Sequence, residues 1–309
     1  MNKILVTEPE YFPEDAISIF KKIGTVVNKR LSRKQLLNEI KDVDILVVRI
    51  ETLVDKVVLK DAKRLKVIAS ATTGIDHIDV AEAEKRGIKI INLQGTHSLP
   101  TAEYTFALIL ALVRRIPWAF ESMKENKWER YKFFGREVRG RILGIVGLGK
   151  IGGRVANYAA AFGMKVIAHD PYVTAENAKE LNVELTSLEN VLKKSDIITI
   201  HSMLTKVTEN MIDYKELQMM KRDAFLINVA RGKIVNEKAL VRALKNGIIA
   251  GAALDVYSIE PIESGNELVK YAKENDNLLL TPHIAASTQE SIRNAAIYVA
   301  ERVKEITKN

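Results

Sequence analysis

The chain has 309 residues, of which 47% are hydrophobic and 28% charged, and it contains no cysteine. This length and composition are typical of a globular protein of two domains, and the missing thiols exclude a disulfide scaffold, a thiolate metal site and a cysteine nucleophile. The net charge is +8, but lysines alternate with glutamates in KENKWER and KYAKEN, which favours solvated helix faces and a small anionic ligand over a nucleic-acid partner.

The N-terminal sequence MNKILVTEPE reaches acidic residues after one short apolar stretch, which is unlike a secretory signal. No apolar run approaches the roughly 18 residues of a membrane-spanning helix. Together with the missing cysteines, these features predict a cytoplasmic protein with no membrane partner.

Ten short apolar runs rich in β-branched residues follow one another along the chain. They cover 3–7, 44–48, 66–70, 89–93, 142–146, 165–169, 196–200, 224–228, 252–256 and 277–281. The helix-like segments between them include 14–23, 33–40, 101–113, 150–162, 187–194, 214–220 and 236–246. Strands without polar alternation that are separated by helices are typical of parallel sheets covered on both faces, so the predicted class is α/β.

Ten strands in a single open sheet would be unusual, so we expect two sheets. Segment 101–128 is predicted as a long helix, kinked or ended near Pro117, and its lack of a neighbouring strand suggests a connector between two units. The last segment, 287–305, is predicted as a helix that begins with a serine or threonine cap.

The sequence LGIVGLGKIGGRVA, residues 143–156, places three glycines directly after an apolar strand. A predicted helix follows from Lys150. In a dinucleotide-binding turn, Gly147 permits the tight turn, Gly149 lets the backbone approach a pyrophosphate, and Gly152 lets helix and strand pack closely. Amides at the helix N-terminus then bind the phosphates.

Asp170 ends the next predicted strand. A carboxylate at this position binds both hydroxyls of the adenosine ribose and repels a 2′-phosphate, which predicts NAD rather than NADP. Asp170 is alternatively an ordinary turn residue before Pro171. An FAD or S-adenosylmethionine site would share the same turn, so the chemistry must come from other residues.

Polar residues directly after parallel strands are candidates for chemistry, because ligands bind beyond the carboxyl ends of such strands. Two of the five histidines, His201 and His283, follow apolar strands. His283 is preferred because Pro282 fixes its approach and small residues follow it, and His201 is the alternative. His77 lies in a turn or helix start, where we expect it to be solvated. The other two are His97 and His169.

Arg231, Glu260 and His283 form a chemically consistent set for hydride transfer to a 2-oxo acid. Arg231 could hold the substrate carboxylate and polarise the carbonyl through paired guanidinium hydrogen bonds. His283 could give a proton to the carbonyl oxygen as the hydride arrives. Glu260, if paired with His283, would stabilise its protonated form. The alternative is that each is an ordinary loop residue.

Sequence blocks over most of the chain resemble the D-isomer-specific 2-hydroxyacid dehydrogenases, especially the phosphoglycerate dehydrogenase branch. They include ATTGIDHIDV, TAEYTFALILAL, HDPY, SDIITIH, NVARG, ALDVY and TPHIAAST, in the family's order. In this family the arginine of the ARG block, a glutamate before a proline and the histidine of the PH block are catalytic. The resemblance therefore implies that Arg231, Glu260 and His283 act on a small D-2-hydroxy acid or 2-oxo acid with NAD.

The resemblance also implies binding contacts, none of them to a metal. Asp255 would meet the nicotinamide carboxamide, and the amides of Gly74 and Ile75 the substrate carboxylate. Substrate contacts would come from Arg49, Gly74, Ile75 and Arg231. Cofactor contacts would come from Thr73, Gly147, Gly149, Lys150, Ile151, Gly152, Asp170, Ser202, Thr208, Val229, Ala230, Arg231, Asp255, His283 and Ala286.

The fold implied by the resemblance is two Rossmann-like domains with a cleft between them. A flavodoxin-like substrate domain would comprise 1–98 plus 287–309, and a doubly wound NAD-binding domain 99–286. Family members are usually homodimers through the cofactor domain. Helix 101–113 with Trp118 is the candidate interface, or else a core helix of one domain. Because the chain ends soon after 287–305, we expect no C-terminal regulatory domain.

Two departures from the phosphoglycerate dehydrogenase pattern lie on the substrate side. Ser70 stands where that branch usually has an arginine, and the block GTHSLPTAE (95–103) is one residue longer and differently composed. Both favour an unphosphorylated substrate.

Two other functions are alternatives to a D-2-hydroxyacid dehydrogenase. One is a dehydrogenase of another small acid, such as phosphite or formate. The other is an NADH-sensing corepressor, which would not need the proton relay.

Overall fold

The structure, a computed structural model, describes residues 1–93 and 98–307 and divides into two compact units. One unit comprises Met1–His97 with Ser287–Asn309, and the other comprises Ser98–Ala286. Each contains one sheet, of five and seven strands, in which every strand pairing is parallel. The predicted α/β class with two sheets is confirmed.

The first unit has a sheet of flavodoxin-like order. Its strands are β1 (Asn2–Val6), β2 (Gly24–Asn28), β3 (Ile45–Val48), β4 (Val67–Ser70) and β5 (Lys89–Ile91). Its first helices are α1 (Glu14–Lys21), α2 (Arg33–Glu39), α3 (Lys56–Asp61) and α4 (Val80–Lys85). The strand order is β2-β1-β3-β4-β5. All residues of β3 and β4 are buried, which explains why ILVV and VIAS lack polar alternation.

The second unit is doubly wound. Its helices are α5 (Ser98–Val113), α6 (Ile116–Lys124), α7 (Lys150–Ala161), α8 (Ala175–Glu180), α9 (Leu188–Lys194), α10 (Tyr214–Met219), α11 (Glu237–Lys245) and α12 (Glu267–Glu274). Its strands are β6 (Ile142–Val146), β7 (Lys165–His169), β8 (Glu184–Leu185), β9 (Ile197–Ile200), β10 (Phe225–Asn228), β11 (Gly251–Leu254) and β12 (Leu278–Leu280). The order β8-β7-β6-β9-β10-β11-β12 is that of a Rossmann sheet with one further strand.

The last helix, α13 (Gln289–Thr307), belongs to the first unit and confirms the predicted helix at 287–305. The Thr288 hydroxyl accepts a hydrogen bond from the Ser291 amide at 3.1 Å, as the predicted cap requires. Ala296, Val299 and Val303 are fully buried in the core that α13 shares with α1.

Segment 101–128 is two helices, and its interpretation as a connector is wrong. The break lies at Arg115, whose φ of 56° is left-handed, and Pro117 occupies the first turn of α6. Phe106, Ile109 and other apolar residues of α5 are buried in the core of the second unit, where α5 packs against α7. Within 1–93 and 98–307, no helix has the length and apolarity needed to cross a membrane.

Candidate active site

The glycine-rich turn joins β6 to α7 in the predicted position. Gly147 has φ +96°, and a Cβ on it would lie 2.7 Å from the Ser202 nitrogen. A Cβ on Gly152 would lie 2.2 Å from the Gly147 carbonyl oxygen, whereas one on Gly149 would meet no atom within 4 Å. The chain's own packing therefore requires the first and third glycines, while the second borders open space that a ligand can enter.

The N-terminus of α7 offers unpaired amides beside that space. Gly149 is its N-cap and supplies no side-chain hydrogen bond. The first amides of a helix have no intrahelical acceptor, so those of Lys150 and Ile151 are available to an anion. The positive end of the helix dipole adds to this preference for phosphate.

Asp170 is fixed beside the turn by two backbone hydrogen bonds. Its Oδ2 accepts the Leu148 N–H at 2.8 Å, and its Oδ1 accepts the Tyr172 N–H at 2.9 Å. Each carboxylate oxygen has a second lone pair that can accept a hydroxyl. This placement suits the predicted contact with an adenosine ribose.

Two buried polar atoms close to the turn have no hydrogen-bond partner in the described part of the chain, Ser202 Oγ and His201 Nδ1. Buried polar groups are normally hydrogen-bonded, so these atoms fit a ligand that supplies partners. Together with the open space at Gly149 and the uncapped helix, they fit a dinucleotide. Burial also lowers the pKa of His201 to about 3, so this histidine is neutral at neutral pH and offers no acidic imidazolium proton to a substrate.

His283 and Glu260 form a close pair. The His283 Nδ1 lies 2.6 Å from the Glu260 Oε2, and the Glu260 Oε1 accepts the Tyr257 N–H at 2.9 Å. Burial opposes ionisation of Glu260, but the hydrogen bond and charge of His283 hold its pKa below the ordinary value, with help from the charge of Arg231. The ionised carboxylate keeps Nδ1 protonated, and Nε2 has no hydrogen-bond partner among the described residues.

Asp255 holds the loop that carries His283. Its Oδ1 accepts the Thr281 hydroxyl at 2.7 Å and the Ile284 N–H at 3.0 Å, and its Oδ2 accepts the Ala285 N–H at 2.8 Å. The carboxyl is fully buried, and burial raises its pKa. Asp255 therefore fixes the backbone after His283 and the Thr281 side chain before it, in addition to any contact with a nicotinamide.

Arg231 follows β10 on a turn that Asn228 closes. The Asn228 Oδ1 accepts the Ala230 N–H at 3.0 Å, and its Nδ2 donates to the Arg231 carbonyl at 2.9 Å. A Cβ on Gly232 would lie 1.9 Å from the Tyr257 carbonyl carbon, so this glycine permits a close approach of two backbone segments. Sequence reasoning missed the role of Asn228, although it stands within the NVARG block.

The remaining predicted cofactor residues of the second unit occupy nearby loops. Val229 is buried after β10, and Ala230 and Ala286 are half-buried. The Thr208 hydroxyl donates to the Met203 carbonyl at 2.6 Å and accepts the Thr205 N–H at 2.7 Å, so it closes its own loop. Their contacts with a cofactor stay predictions.

In the first unit, Arg49 follows β3 and is buried, with 6% of its surface exposed. Its guanidinium carbon lies 4.1 Å from the centre of the Tyr11 ring, and Nη2 lies 3.5 Å from the Ser287 hydroxyl. The Glu8 carboxylate accepts the Arg49 N–H at 2.9 Å and fixes the backbone there. Burial lowers the pKa of Arg49, and no carboxylate of the described residues forms an ion pair with it. This group suits an incoming anion.

The loop after β4 contains Thr73, Gly74 and Ile75, whose N–H groups have no acceptor among the described residues. Ser70 is fully buried, and its hydroxyl lies 3.2 Å from the His77 Nε2. The expectation that His77 is simply solvated is therefore wrong. Residues 95–97 of the GTHSLPTAE block, with His97, lie outside the described residues.

A family model supports the dinucleotide site. Residues 106–285 match the model of a family described as "D-isomer specific 2-hydroxyacid dehydrogenase, NAD binding domain". The chain is 42% identical over 308 residues to a D-3-phosphoglycerate dehydrogenase of Archaeoglobus fulgidus, and the aligned region covers 99% of this chain and 57% of that protein. It is 39% identical over 278 residues to a hydroxypyruvate reductase of Thermotoga maritima, covering 90% and 89% of the two chains.

The chain is also similar to a solved structure. The D-lactate dehydrogenase of Aquifex aeolicus, complexed with NAD and lactic acid, is 31% identical, with a TM-score of 0.87 over 99% of this chain and 96% of that chain. The chain spans about half the length of several phosphoglycerate dehydrogenases that it matches. The resemblance inferred from the sequence is confirmed: the chain belongs to the D-isomer-specific 2-hydroxyacid dehydrogenase family and carries its NAD-binding domain.

Proposed function

We propose that the protein transfers a hydride between NAD(H) and a small D-2-hydroxy acid or 2-oxo acid. The observation that carries the proposal is the His283–Glu260 pair at 2.6 Å, in the same unit as a dinucleotide turn. A protein that only senses NADH needs the turn but has no use for an imidazole whose Nε2 is open to a substrate oxygen. The pair therefore argues against the corepressor alternative.

In the reductive direction, NADH when bound supplies the hydride to the carbonyl carbon. Arg231 binds the substrate carboxylate and draws electron density from the carbonyl through its planar guanidinium. His283 donates its Nε2 proton to the carbonyl oxygen, and Glu260 stabilises the imidazolium before the transfer. The proton that His283 loses is replaced from solvent, so one 2-oxo acid, one NADH and one proton give one 2-hydroxy acid and one NAD⁺.

Division of labour between the two units follows from this proposal. The second unit, Ser98–Ala286, binds the cofactor and carries the proton donor. The first unit carries groups suited to an anion, namely Arg49 and the amides of Gly74 and Ile75.

The favoured substrates are unphosphorylated 2-oxo acids, such as glyoxylate or hydroxypyruvate. Ser70 is fully buried and hydrogen-bonded within its own loop, so it supplies no charge to a phosphate. Relatives at similar identity include both phosphoglycerate dehydrogenases and reductases of glyoxylate and hydroxypyruvate, so the family alone does not choose between them.

A substrate panel tests the proposal. NADH oxidation is followed at 340 nm with glyoxylate, hydroxypyruvate, pyruvate and 3-phosphohydroxypyruvate, and NAD⁺ reduction is followed with phosphite and formate. We expect turnover of the 2-oxo acids, with kcat/KM for an unphosphorylated acid at least equal to that for the phosphorylated one. Turnover of phosphite or formate alone would refute the assignment, and a clear preference for the phosphorylated acid would refute the substrate.

We further propose a homodimer whose interface differs from the predicted helix 101–113. Six large apolar side chains of α6 and the segment after it are each exposed by more than half: Ile116, Phe120, Met123, Trp128, Tyr131 and Phe134. Large apolar side chains exposed in one part of the chain are typical of a protein interface. The mass in solution, measured by light scattering, should be twice that of the chain and should halve in Phe120→Glu. A monomeric wild type would contradict the dimer.

A cytoplasmic location stays a prediction.

A further inference from the structure

Four successive carbonyl groups of the loop after β4 are hydrogen-bonded within the first unit. Each accepts a hydrogen bond: Thr72 O from the Leu93 N–H at 2.9 Å, Thr73 O from the Asn92 Nδ2 at 2.9 Å, Gly74 O from the Thr72 hydroxyl at 2.7 Å, and Ile75 O from the Ile78 N–H at 2.9 Å. In a trans peptide the C=O and the following N–H point in opposite directions. Each bonded carbonyl therefore fixes its peptide plane and turns the following N–H group, of residues 73–75, away from the partner of that carbonyl.

Successive amides without an acceptor can form a small cradle for an anion. The N–H groups of Thr73, Gly74 and Ile75 have no acceptor within the described residues. Two adjacent amides match the two oxygens of a carboxylate. The arrangement depends most on Gly74, because glycine has the greatest freedom to rotate its peptide planes.

The Gly74 carbonyl is held by a chain of three side chains. The Thr72 hydroxyl donates its single proton to Gly74 O at 2.7 Å. Ser70 Oγ lies 2.6 Å from Thr72 Oγ1, so Ser70 must be the donor in that pair. The Ser70 proton is then used, so the His77 Nε2 at 3.2 Å must carry a proton and donate it to Ser70.

The hydrogen bonds are therefore all donated in the same direction, from His77 to Ser70, from Ser70 to Thr72 and from Thr72 to the Gly74 carbonyl. The direction is the same for the neutral Nε2–H tautomer and for the imidazolium, because Nε2 is a donor in both. Ser70 is 0% exposed and Thr72 is 7% exposed. Water therefore does not readily replace either hydroxyl, and removing one leaves a buried group without a partner.

We propose that Ser70, Thr72 and His77 are positioning residues that hold the Ile75 N–H outward for the substrate carboxylate. The inference rests on the proposed function for the identity of that anion. It also gives Ser70 a task of its own in this chain, where a branch of the family has arginine. Without the Thr72 hydroxyl, the Gly74–Ile75 peptide can rotate and present a carbonyl oxygen, which repels a carboxylate.

The test compares Thr72→Val, which keeps the shape and removes the hydroxyl, with Thr72→Ser, which keeps the hydroxyl. Oxalate, a dicarboxylate that NADH cannot reduce to a 2-hydroxy acid here, is titrated calorimetrically into the full-length protein saturated with NADH. We expect the oxalate Kd and the KM for the 2-oxo acid to rise about tenfold in Thr72→Val. The NADH Kd stays unchanged, kcat changes less than KM, and Thr72→Ser restores both values.

Two further variants separate positioning from stability. Ser70→Ala breaks the chain one link earlier and should weaken oxalate binding in the same direction. Thr105→Val removes an equally buried hydroxyl that donates to the Thr101 carbonyl at 2.7 Å in the second unit; it should lower the melting temperature and leave the oxalate Kd unchanged.

The outcomes are distinguishable. Wild-type oxalate affinity in a folded Thr72→Val overturns the positioning role, as does a wild type that binds no oxalate. If no 2-oxo acid is reduced but oxalate binding still depends on Thr72 and Ser70, the proposed function fails and the carboxylate cradle stands.

Discussion

At the scale of single residues, the backbone of His283 is the least ordinary feature of the site. Its φ of 54° lies in the left-handed region, which costs a residue with a Cβ about 1 kcal/mol or more. The hydrogen bonds from Ile284 and Ala285 to Asp255 offset that cost and fix the loop. An imidazole held in this way loses little freedom when a substrate binds, which favours proton transfer in one geometry.

Replacing His283 by alanine should nearly abolish reduction. The proton donor acts as charge develops on the carbonyl oxygen, so we expect kcat to fall by roughly 10²–10⁴-fold. NADH affinity, measured by fluorescence titration, should stay close to wild type. The matched control is His169→Ala, because the His169 Nδ1 lies 3.2 Å from the Thr186 carbonyl and this residue belongs neither to the proton relay nor to the predicted cofactor contacts. Wild-type turnover in His283→Ala would refute the assignment of the proton donor.

Glu260→Gln should change the pH profile of kcat/KM for reduction. The pKa of Glu260 lies below its ordinary value, so its carboxylate is charged throughout a neutral assay. That charge favours the imidazolium, and a neutral amide does not. Because reduction needs the protonated imidazole, its loss with rising pH should begin at lower pH in the variant. Glu263→Gln, in the same loop, should leave the profile unchanged, and an unshifted profile in Glu260→Gln would contradict the pairing.

Residue types and their positions after strands made Arg231, Glu260 and His283 candidates, and the resemblance to the family gave them catalytic roles, which stay predictions. The same reasoning could not find the side chains that hold them. Asn228 and Asp255 act through hydrogen bonds to backbone groups whose positions depend on the folded turn, not on spacing in the sequence. His77 was misjudged for this reason, because its partner Ser70 is buried only once β4 and the following turn are formed.

At the scale of elements, all the central strands and the edge strands β5 and β12 were predictable, because their sequences are apolar. The other two edge strands, β2 in the first unit and β8 in the second, were missed. The sequence of β2, GTVVN, is largely half-buried or exposed, and β8 has two residues. A strand covered on one side needs less apolar sequence, so the continuous hydrophobic signal of a parallel sheet weakens at its edges.

The turn between β6 and α7 allows its packing and binding functions to be separated by two alanine variants. In Gly152→Ala the new Cβ would lie 2.2 Å from the Gly147 oxygen, and we expect a loss of about 1–3 kcal/mol in the free energy of unfolding. In Gly149→Ala the methyl enters open space, so stability should hold while NADH affinity falls at least about tenfold, because the methyl occupies room needed by the pyrophosphate.

Thermal unfolding and NADH titration of both variants measure these effects. Each variant is the control for the other, since one is expected to lose stability and the other affinity alone. Equal NADH affinity in Gly149→Ala and wild type would show that the pyrophosphate does not approach this glycine.

At the scale of the whole molecule, the two units give different signals. Both tryptophans, Trp118 and Trp128, belong to the second unit, Ser98–Ala286. Tryptophan fluorescence during unfolding therefore follows the unit that carries the dinucleotide turn. A ligand that binds only the native state stabilises it by about 2.7 kcal/mol when its concentration is 100 times Kd. The choice of cofactor is thus measurable without any substrate.

NAD⁺ should raise the midpoint of this fluorescence transition more than NADP⁺ does at the same concentration. The reason is Asp170, whose carboxylate is fixed beside the turn by the Leu148 and Tyr172 amides and would face a 2′-phosphate of like charge. In Asp170→Asn the side chain keeps its size but loses its charge, so the repulsion disappears and the two midpoints should converge. Asp223→Asn, whose carboxylate pairs with Arg136 at 2.8 Å outside the turn, should retain the wild-type difference. Equal shifts with NAD⁺ and NADP⁺ in the wild type would contradict the assignment of Asp170 to the ribose.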